Sequence, residues 1–151
     1  MSRQKNRHDE DLLCMAFNAH LDIYFPQQKG ALVYTHIANQ GRSAGQGDKL
    51  KKMGVNAGWF DYIFIHHPSP YKTIHLEAKV EKRNYSDSQK VFDDLTTGMP
   101  VFKAKFYSVK EGHSLLIDAG IKPIKDCTIF DEPYYLTKEE KYKLAIEMYR
   151  P

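Results

Sequence analysis

The stretch "TIHLEAKV", residues 73–80, decides how this chain can fold. Its apolar positions are Ile74, Leu76, Ala78 and Val80. Its ionisable positions, continued by one residue, are His75, Glu77, Lys79 and Glu81. Because successive side chains of a β-strand point to opposite faces of a sheet, this strict alternation predicts a half-buried strand. An acid and an amine two residues apart would then share the polar face.

Helical and extended patterns alternate on both sides of this strand. Strands are predicted over residues 31–37, 61–67, 71–80 and 101–109, with a short edge strand at 127–130. Helices are predicted over residues 9–25, 48–53, 86–99, 111–119 and 137–149. The turn between 61–67 and 71–80 is too short for a crossover, so these strands should pair antiparallel. We expect one α/β domain over residues 1–151, with a mixed central sheet of four to five strands flanked by helices.

The helix predicted over residues 86–99 carries the clearest local signal. Ser86 and Gln89 fit the S-x-x-Q capping box, in which each residue bonds the backbone of the other. Its apolar residues are Val91, Phe92, Leu95 and Met99. Their spacing predicts one buried stripe along the helix.

Composition and charge place the chain among ordinary globular proteins. It has 151 residues, of which 42% are hydrophobic and 27% charged. No apolar run approaches the roughly 18 residues of a membrane span, and the polar start "MSRQKNRHDEDLL" shows no secretory signal. A cytoplasmic location, in a bacterial or phage-infected host cell, is therefore expected. Cys14 and Cys127 lack metal-type spacing, so both are expected to be free thiols.

Basic residues cluster in the glycine-rich segment between the first two strands. They are Arg42, Lys49, Lys51 and Lys52, with Asp48 as the only acid among them. Phosphate backbones attract patches of this kind, so these four residues are candidate DNA contacts. A solvated surface is the alternative. His36 and Asn39, just before the segment, either end a strand or approach the DNA backbone.

Asp61, Glu77 and Lys79 form the candidate catalytic group. Asp61 begins the strand that should pair with the one carrying Glu77, so the two carboxylates can come close together. Carboxylates in one place repel unless a cation lies between them, and oxygen ligands suit Mg²⁺ or Mn²⁺. A lysine beside that cation can hold a water or stabilise charge on a phosphate. Glu-x-Lys alone is weak evidence, because it recurs at residues 139–141 without a strand-borne Asp.

The segments "GVNAGWFDYIFI", "IHLEAKV" and "SDSQKVF" resemble, in this order, the VRR-NUC branch of the PD-(D/E)xK nucleases. That branch shows a basic segment with two glycines and an Asp, then E-x-K, then a helix carrying Gln. The matching residues run from Lys52, Gly54, Gly58 and Asp61 through Glu77 and Lys79 to Gln89. Phe60 stands where the family usually has a Pro before the Asp. The resemblance covers about residues 36–92.

This resemblance implies a restriction-endonuclease-like core and a metal-dependent endodeoxyribonuclease. It implies that Mg²⁺ or Mn²⁺ is bound by Asp61, Glu77 and the Ala78 carbonyl, with Lys79 handling water or charge. It also implies catalytic roles for Gln89 and for an acid of the first helix, for which Glu10 fits. A charge near the helix start is the alternative for Glu10, and the capping box for Gln89. Single-domain, phage-type members of this branch imply a homodimer acting on branched DNA or four-way junctions.

The sequence leaves two alternatives to a metal-dependent nuclease. A non-catalytic nucleic-acid-binding domain would use Asp61, Glu77 and Lys79 as an ion-pair network. A doubly wound small-molecule enzyme lacks a G-x-G-x-x-G after the first strand and is set aside. His66 and His67 face opposite ways on a strand and do not suit one zinc ion. The apolar segment 134–149 offers a dimer surface, and a helix that only covers the sheet of a monomer is the alternative. Trp59 is expected in the core, with a stacking platform as the alternative. His75 is expected beside the site, without a part in the chemistry.

Overall fold

The computed structural model describes residues 3–37, 44–81 and 83–127. Within these ranges the elements are α1 (Arg3–Tyr24), β1 (Leu32–His36), α2 (Ala44–Lys52), β2 (Tyr62–His66), β3 (Thr73–Ala78), α3 (Asp87–Leu95), β4 (Val101–Phe106) and α4 (Val109–Asp118). They confirm the predicted α/β class. The helix predicted over 137–149 and nearly all of the strand at 127–130 lie outside the described residues. None of the described helices has the length and apolar character that crossing a membrane requires.

The strands form one mixed sheet in the order β1-β2-β3-β4. β2 pairs antiparallel with both β1 and β3. The short turn between β2 and β3 predicted the second of these pairings. β4 pairs parallel with β3, because α3 lies between them in the chain and supplies the crossover. The strand that contains Glu77 therefore has a neighbour on each side, and its backbone is held along both edges.

One face of the sheet is covered by α1 and α4 and forms the apolar core. Phe17 of α1 lies at its centre, with its ring 5.2 Å from that of Tyr62 and 4.5 Å from that of Phe106. Leu21 of α1 and Leu116 of α4 are fully buried beside it. Burying a large apolar side chain stabilises a fold by about 1.5–3 kcal/mol, so this layer holds both helices on the sheet.

The other face of β3 is also buried, and the prediction of a half-buried strand is wrong. His75 is 3% exposed, Glu77 4% and Lys79 8%. The ring of His75 packs 5.7 Å from Trp59 and 5.2 Å from Phe92 of α3. Alternation reports the polarity of each face, whereas a short helix laid across the polar face decides its exposure. Trp59, expected in the core, is instead 40% exposed.

α3 begins with the predicted capping box and ends earlier than predicted. The Gln89 N–H donates to Ser86 Oγ at 3.3 Å, and the Ser86 N–H donates to Gln89 Oε1 at 2.9 Å. The helix stops where the Thr96 hydroxyl donates to the Phe92 carbonyl. Gln89 and Phe92 are its buried residues. The predicted apolar stripe is wrong, since three of its members are exposed: Val91, Leu95 and Met99.

Gly112 of α4 sets how closely this helix approaches α1. A Cβ built at this position would lie 2.7 Å from Cε2 of Phe17. That separation is shorter than ordinary carbon contacts of about 3.5–4.0 Å. The Phe17 ring is fully buried. The bare backbone of Gly112 is therefore what lets Phe17 pack between the sheet and α4.

Gly112→Ala should destabilise the fold by about 1–3 kcal/mol, because overpacking outweighs the better helix propensity of alanine. Gly47 of α2 is the matched control, since a Cβ there meets nothing within 4 Å. Gly47→Ala should stabilise the protein by up to about 1 kcal/mol. Urea unfolding of both variants measures the difference. Equal stabilisation by both substitutions would show that Phe17 yields to the added methyl group.

Candidate active site

Asp61 and Glu77 face each other at the point where β2 and β3 separate. The register pairs Tyr62 with Leu76, and one further step places Asp61 opposite Glu77. Here hydrogen bonds from backbone N–H groups to carboxylates replace the regular backbone-to-backbone hydrogen bonds of the strand pair. The Asp61 N–H donates to Glu77 Oε2 at 2.9 Å, and the Ala78 N–H donates to Asp61 Oδ2 at 2.9 Å. Each acid is thus held by the backbone of the opposite strand, which brings the two predicted carboxylates together.

The second oxygen of Glu77 contacts two further predicted residues. Gln89 Nε2 donates to Glu77 Oε1 at 2.6 Å, and Lys79 Nζ lies 3.4 Å from the same oxygen. The amide oxygen of Gln89 already accepts from Ser86, so its nitrogen has to face Glu77. Gln89 therefore caps α3 and orients Glu77 at once. Lys79 is nearly buried, and a buried ammonium is tolerated only beside a charge of opposite sign.

Glu10 approaches the same group from α1. The charges of Lys79 and Asp61 both act on its carboxyl, and Arg83 Nη1 lies 3.9 Å from its Oε1. Oε1 is buried and has no hydrogen-bond partner within the described part of the chain. α1 begins at Arg3, so Glu10 lies well inside the helix and not in its first turn. The interpretation of Glu10 as a helix-terminus charge is therefore wrong, whereas a place at the site agrees with the geometry.

The electrostatics of the pair favour a shared proton. Burial, and then the neighbouring Asp61 carboxylate, raise the pKa of Glu77 to about 8, against the opposing effects of Lys79 and Gln89. Burial also raises the pKa of Asp61, against the Ala78 N–H and His36. The pair therefore retains a proton at neutral pH when no cation is bound. A divalent cation would remove the repulsion that holds this proton in place.

His36 and Cys14 lie at the rim of the site. His36, at the end of β1, has its Nε2 3.9 Å from Asp61 Oδ1. The donor atoms of Cys14, His36 and Asp61 lie within 4.8 Å of one another. Sequence analysis missed Cys14 and Arg83 as neighbours of the site. One signal was present for Cys14, which follows Glu10 by four residues and shares its helix face.

The candidate DNA contacts are not part of this cluster. Lys49, Lys51 and Lys52 are exposed on α2, and Lys52 pairs with Asp48 at 3.1 Å. Arg42 and Asn39 lie outside the described residues. His75, expected beside the site, is closed off by Trp59 and Phe92 and bonds the hydroxyl of Thr73 at 2.8 Å.

Position 58, three residues before Asp61, requires a glycine. Its φ is +96°, and a Cβ there would lie 2.0 Å from the Ser88 carbonyl oxygen at the start of α3. Gly54 has a φ of +92°, but a Cβ there would meet nothing within 4 Å. Gly54 thus serves a backbone turn alone. Gly58 also lets the loop before Asp61 touch the helix that carries Gln89.

The arrangement of helices and strands is similar to a solved structure described as a "VRR_NUC domain protein". The TM-score is 0.54 at 17% sequence identity, and the alignment covers 73% of this chain and 86% of that chain. No protein-family model and no curated protein matches the sequence. At this identity the similarity concerns the fold. The chain therefore has a restriction-endonuclease-like α/β fold of the VRR-NUC type.

The raised pKa of Glu77 makes the stability of the cation-free protein depend on pH. Because the folded state keeps a proton that the unfolded state has lost, stability should fall as pH rises from about 4.5 to about 8. Glu77→Gln removes this titration. Between about pH 5 and pH 8 the melting temperature of the wild type should drop several degrees further than that of the variant, at about 2–4 °C per kcal/mol.

Calorimetric melts without divalent cations measure this difference in slope. Absolute stability is a poor readout, since Glu77→Gln also leaves the Lys79 ammonium without its carboxylate. Identical pH slopes for wild type and variant would show that Glu77 is ionised throughout this range.

Proposed function

We propose that the protein is a divalent-metal-dependent DNA endonuclease that hydrolyses phosphodiester bonds, with branched DNA or four-way junctions as its preferred substrate. The observation that carries the proposal is the convergence of Asp61, Glu77 and Lys79 at one strand junction. The similarity in fold to a VRR_NUC domain protein supports it. The preference for branched DNA rests on the sequence resemblance.

The donor atoms fit a hard divalent cation such as Mg²⁺ or Mn²⁺. Asp61 and Glu77 offer carboxylate oxygens with lone pairs beyond those used by their backbone partners. The Ala78 N–H points to Asp61, and the carbonyl of an extended residue points to the same strand edge. Asp61, Glu77 and the Ala78 carbonyl would hold the ion. When bound, it supplies Lewis-acid polarisation of the phosphate and of water.

The remaining residues position groups and handle charge. Lys79 Nζ, beside Glu77, is placed to stabilise negative charge that develops on the phosphate. Gln89 holds the Glu77 carboxylate in one orientation through its 2.6 Å hydrogen bond. Burial raises the pKa of Glu10, and its Oε1, which has no hydrogen-bond partner among the described residues, is available to accept or release a proton.

The alternative is a nucleic-acid-binding domain in which the same residues form an ion-pair network. In such a network each carboxylate would be paired with a cationic side chain, which would stabilise its charged form. Instead, burial raises the pKa of Asp61, Glu77 and Glu10 together, with Lys79 as the buried cation among them. Buried acids with shifted pKa values are typical of functional sites. This observation favours catalysis.

Lys79→Ala should lower the rate of DNA cleavage by about 10²–10³-fold, the usual cost of one donor to a charged transition state. Mn²⁺ binding should persist, because Lys79 is not a ligand. Asp61→Asn and Glu77→Gln should lose both cleavage and Mn²⁺ binding. Cleavage of labelled linear, flap and junction DNA with and without Mg²⁺ or Mn²⁺, together with Mn²⁺ titration calorimetry, measures both properties.

The matched control is Lys122→Ala, which removes an exposed lysine just after α4 and should leave the cleavage rate unchanged. A Lys79→Ala protein that cleaves as fast as the wild type would contradict the assignment. Absence of cleavage by the wild type with every cation and DNA tested would favour the binding-domain alternative.

DNA affinity should depend on Lys49, Lys51 and Lys52. Each lost phosphate contact should flatten the slope of log affinity against log salt by about 0.9. The slope of the triple Ala variant should therefore be flatter than that of the wild type by about 2.7. Adding Arg42→Ala should flatten it by about 0.9 more. Titrations of a fluorescent four-way junction at several salt concentrations, without divalent cations, measure the slope. An unchanged slope would move the DNA surface away from α2.

The proposed homodimer stays a prediction. Symmetric cutting of a junction needs two sites related by a two-fold axis, as in a C₂ dimer. The apolar segment 134–149 on which the prediction rests lies outside the described residues. The cytoplasmic location stays a prediction as well.

A further inference from the structure

A second cluster of metal-ligating side chains lies toward the other end of α1. His20 of α1, His113 of α4 and Cys127 each place one donor atom within 4.8 Å of the others. His20 Nε2 and His113 Nδ1 are 2.8 Å apart, and both residues are 5% exposed. Cys127 is half-buried, within hydrogen-bonding reach of the Tyr24 hydroxyl. The mechanism proposed above uses none of these residues.

We propose that His20, His113 and Cys127 bind a zinc ion that ties together α1, α4 and the segment after α4. Two imidazole nitrogens and one thiolate form a donor set that zinc prefers and that Mg²⁺ does not. The fourth position of a tetrahedral ion would be taken by water.

The distances allow this coordination with small movements. Zinc–nitrogen bonds of about 2.0–2.1 Å and zinc–sulfur bonds of about 2.3 Å place tetrahedral ligand atoms about 3.3–3.6 Å apart. The nitrogens of His20 and His113 would separate by about half an ångström from their present 2.8 Å. All three donor atoms already lie within 4.8 Å of one another.

The proton balance of binding is simple. One of the two facing nitrogens now carries the hydrogen of the His20–His113 bond. On binding, that hydrogen moves to the other nitrogen of its own ring, which frees the lone pair. The Cys127 thiol releases its proton to solvent. Each zinc ion bound therefore displaces one proton, and no oxidant or reductant is required.

The position of Cys127 argues for a metal site over a plain hydrogen-bonded histidine pair. A buried pair needs only the aromatic surroundings that Tyr24 and Phe25 already supply. Cys127 comes from a separate segment, which Ile121 anchors in the core. The Ile124 N–H donates to the Tyr24 carbonyl at 2.9 Å and holds this segment on the end of α1. The thiol is thus brought to the histidines from a third part of the chain.

The zinc site would stabilise the fold without taking part in cleavage. His20 and Glu10 are ten residues apart on α1, or about 15 Å along the helix axis. The ion would lie on the core side of the sheet, where α1 meets α4. Structural zinc contributes its binding free energy to folding, so zinc should raise the melting temperature.

Cobalt(II) provides the direct test, because it replaces zinc and is coloured. The full chain, freed of metal by a chelator, should on titration with Co²⁺ show a thiolate-to-cobalt charge-transfer band. Cys127→Ser should lose this band. Cys14→Ser should keep it, and is the matched control because Cys14 is the one other cysteine and belongs to the group with His36 and Asp61.

Thermal unfolding of the same proteins with equimolar Zn²⁺ completes the test. Zinc should raise the midpoint of the wild type and of Cys14→Ser, and should raise that of Cys127→Ser less. Cys127→Ser changes one half-buried atom, so it should fold even if variants of His20 or His113 do not. The proposal is wrong if no thiolate band forms, if Cys14→Ser abolishes the band, or if zinc stabilises Cys127→Ser equally. None of these outcomes depends on DNA cleavage.

Discussion

Two hydrogen bonds exchanged across the end of a strand pair hold the candidate site together. The backbone of Asp61 binds the Glu77 carboxylate, and the backbone of Ala78 binds the Asp61 carboxylate. They keep the half-buried Asp61 and the buried Glu77 together despite their repulsion, which burial strengthens by lowering the local dielectric constant. Lys79 and Gln89 then reduce the cost by meeting the other oxygen of Glu77.

The fold supports this arrangement from both faces of the sheet. On the core face, α1 packs through Phe17 and brings Glu10 to the same strand end. On the other face, α3 brings Gln89, and Gly58 lets the preceding loop touch the first turn of that helix. The site is thus built where two strands part and two helices on opposite faces converge. Oxygen donors and a buried amine are groups that metal-assisted phosphodiester hydrolysis uses.

Local signals in the sequence were enough to predict the four described strands, the antiparallel turn, the capping box and the meeting of Asp61 with Glu77. Each depends on residues close in the chain or on one strand pairing. Burial of both faces of β3 was not predictable, because alternation carries no information about a helix that covers the polar face. Val91 and Leu95 on α3 are exposed, although their helical spacing favoured a buried stripe. The group of His20, His113 and Cys127 gave no spacing signal, since its members come from three distant segments.

Gly112 has a further consequence, because its neighbour in the chain is His113. Phe17 and His20 lie one turn apart on α1, and Gly112 and His113 are adjacent on α4. The close approach that seats the Phe17 ring therefore also fixes the gap between the two imidazoles. A larger residue at position 112 would widen both separations together. Variation at these four positions is therefore expected to be correlated among related chains, with the aromatic layer and the histidine pair retained or lost as a unit.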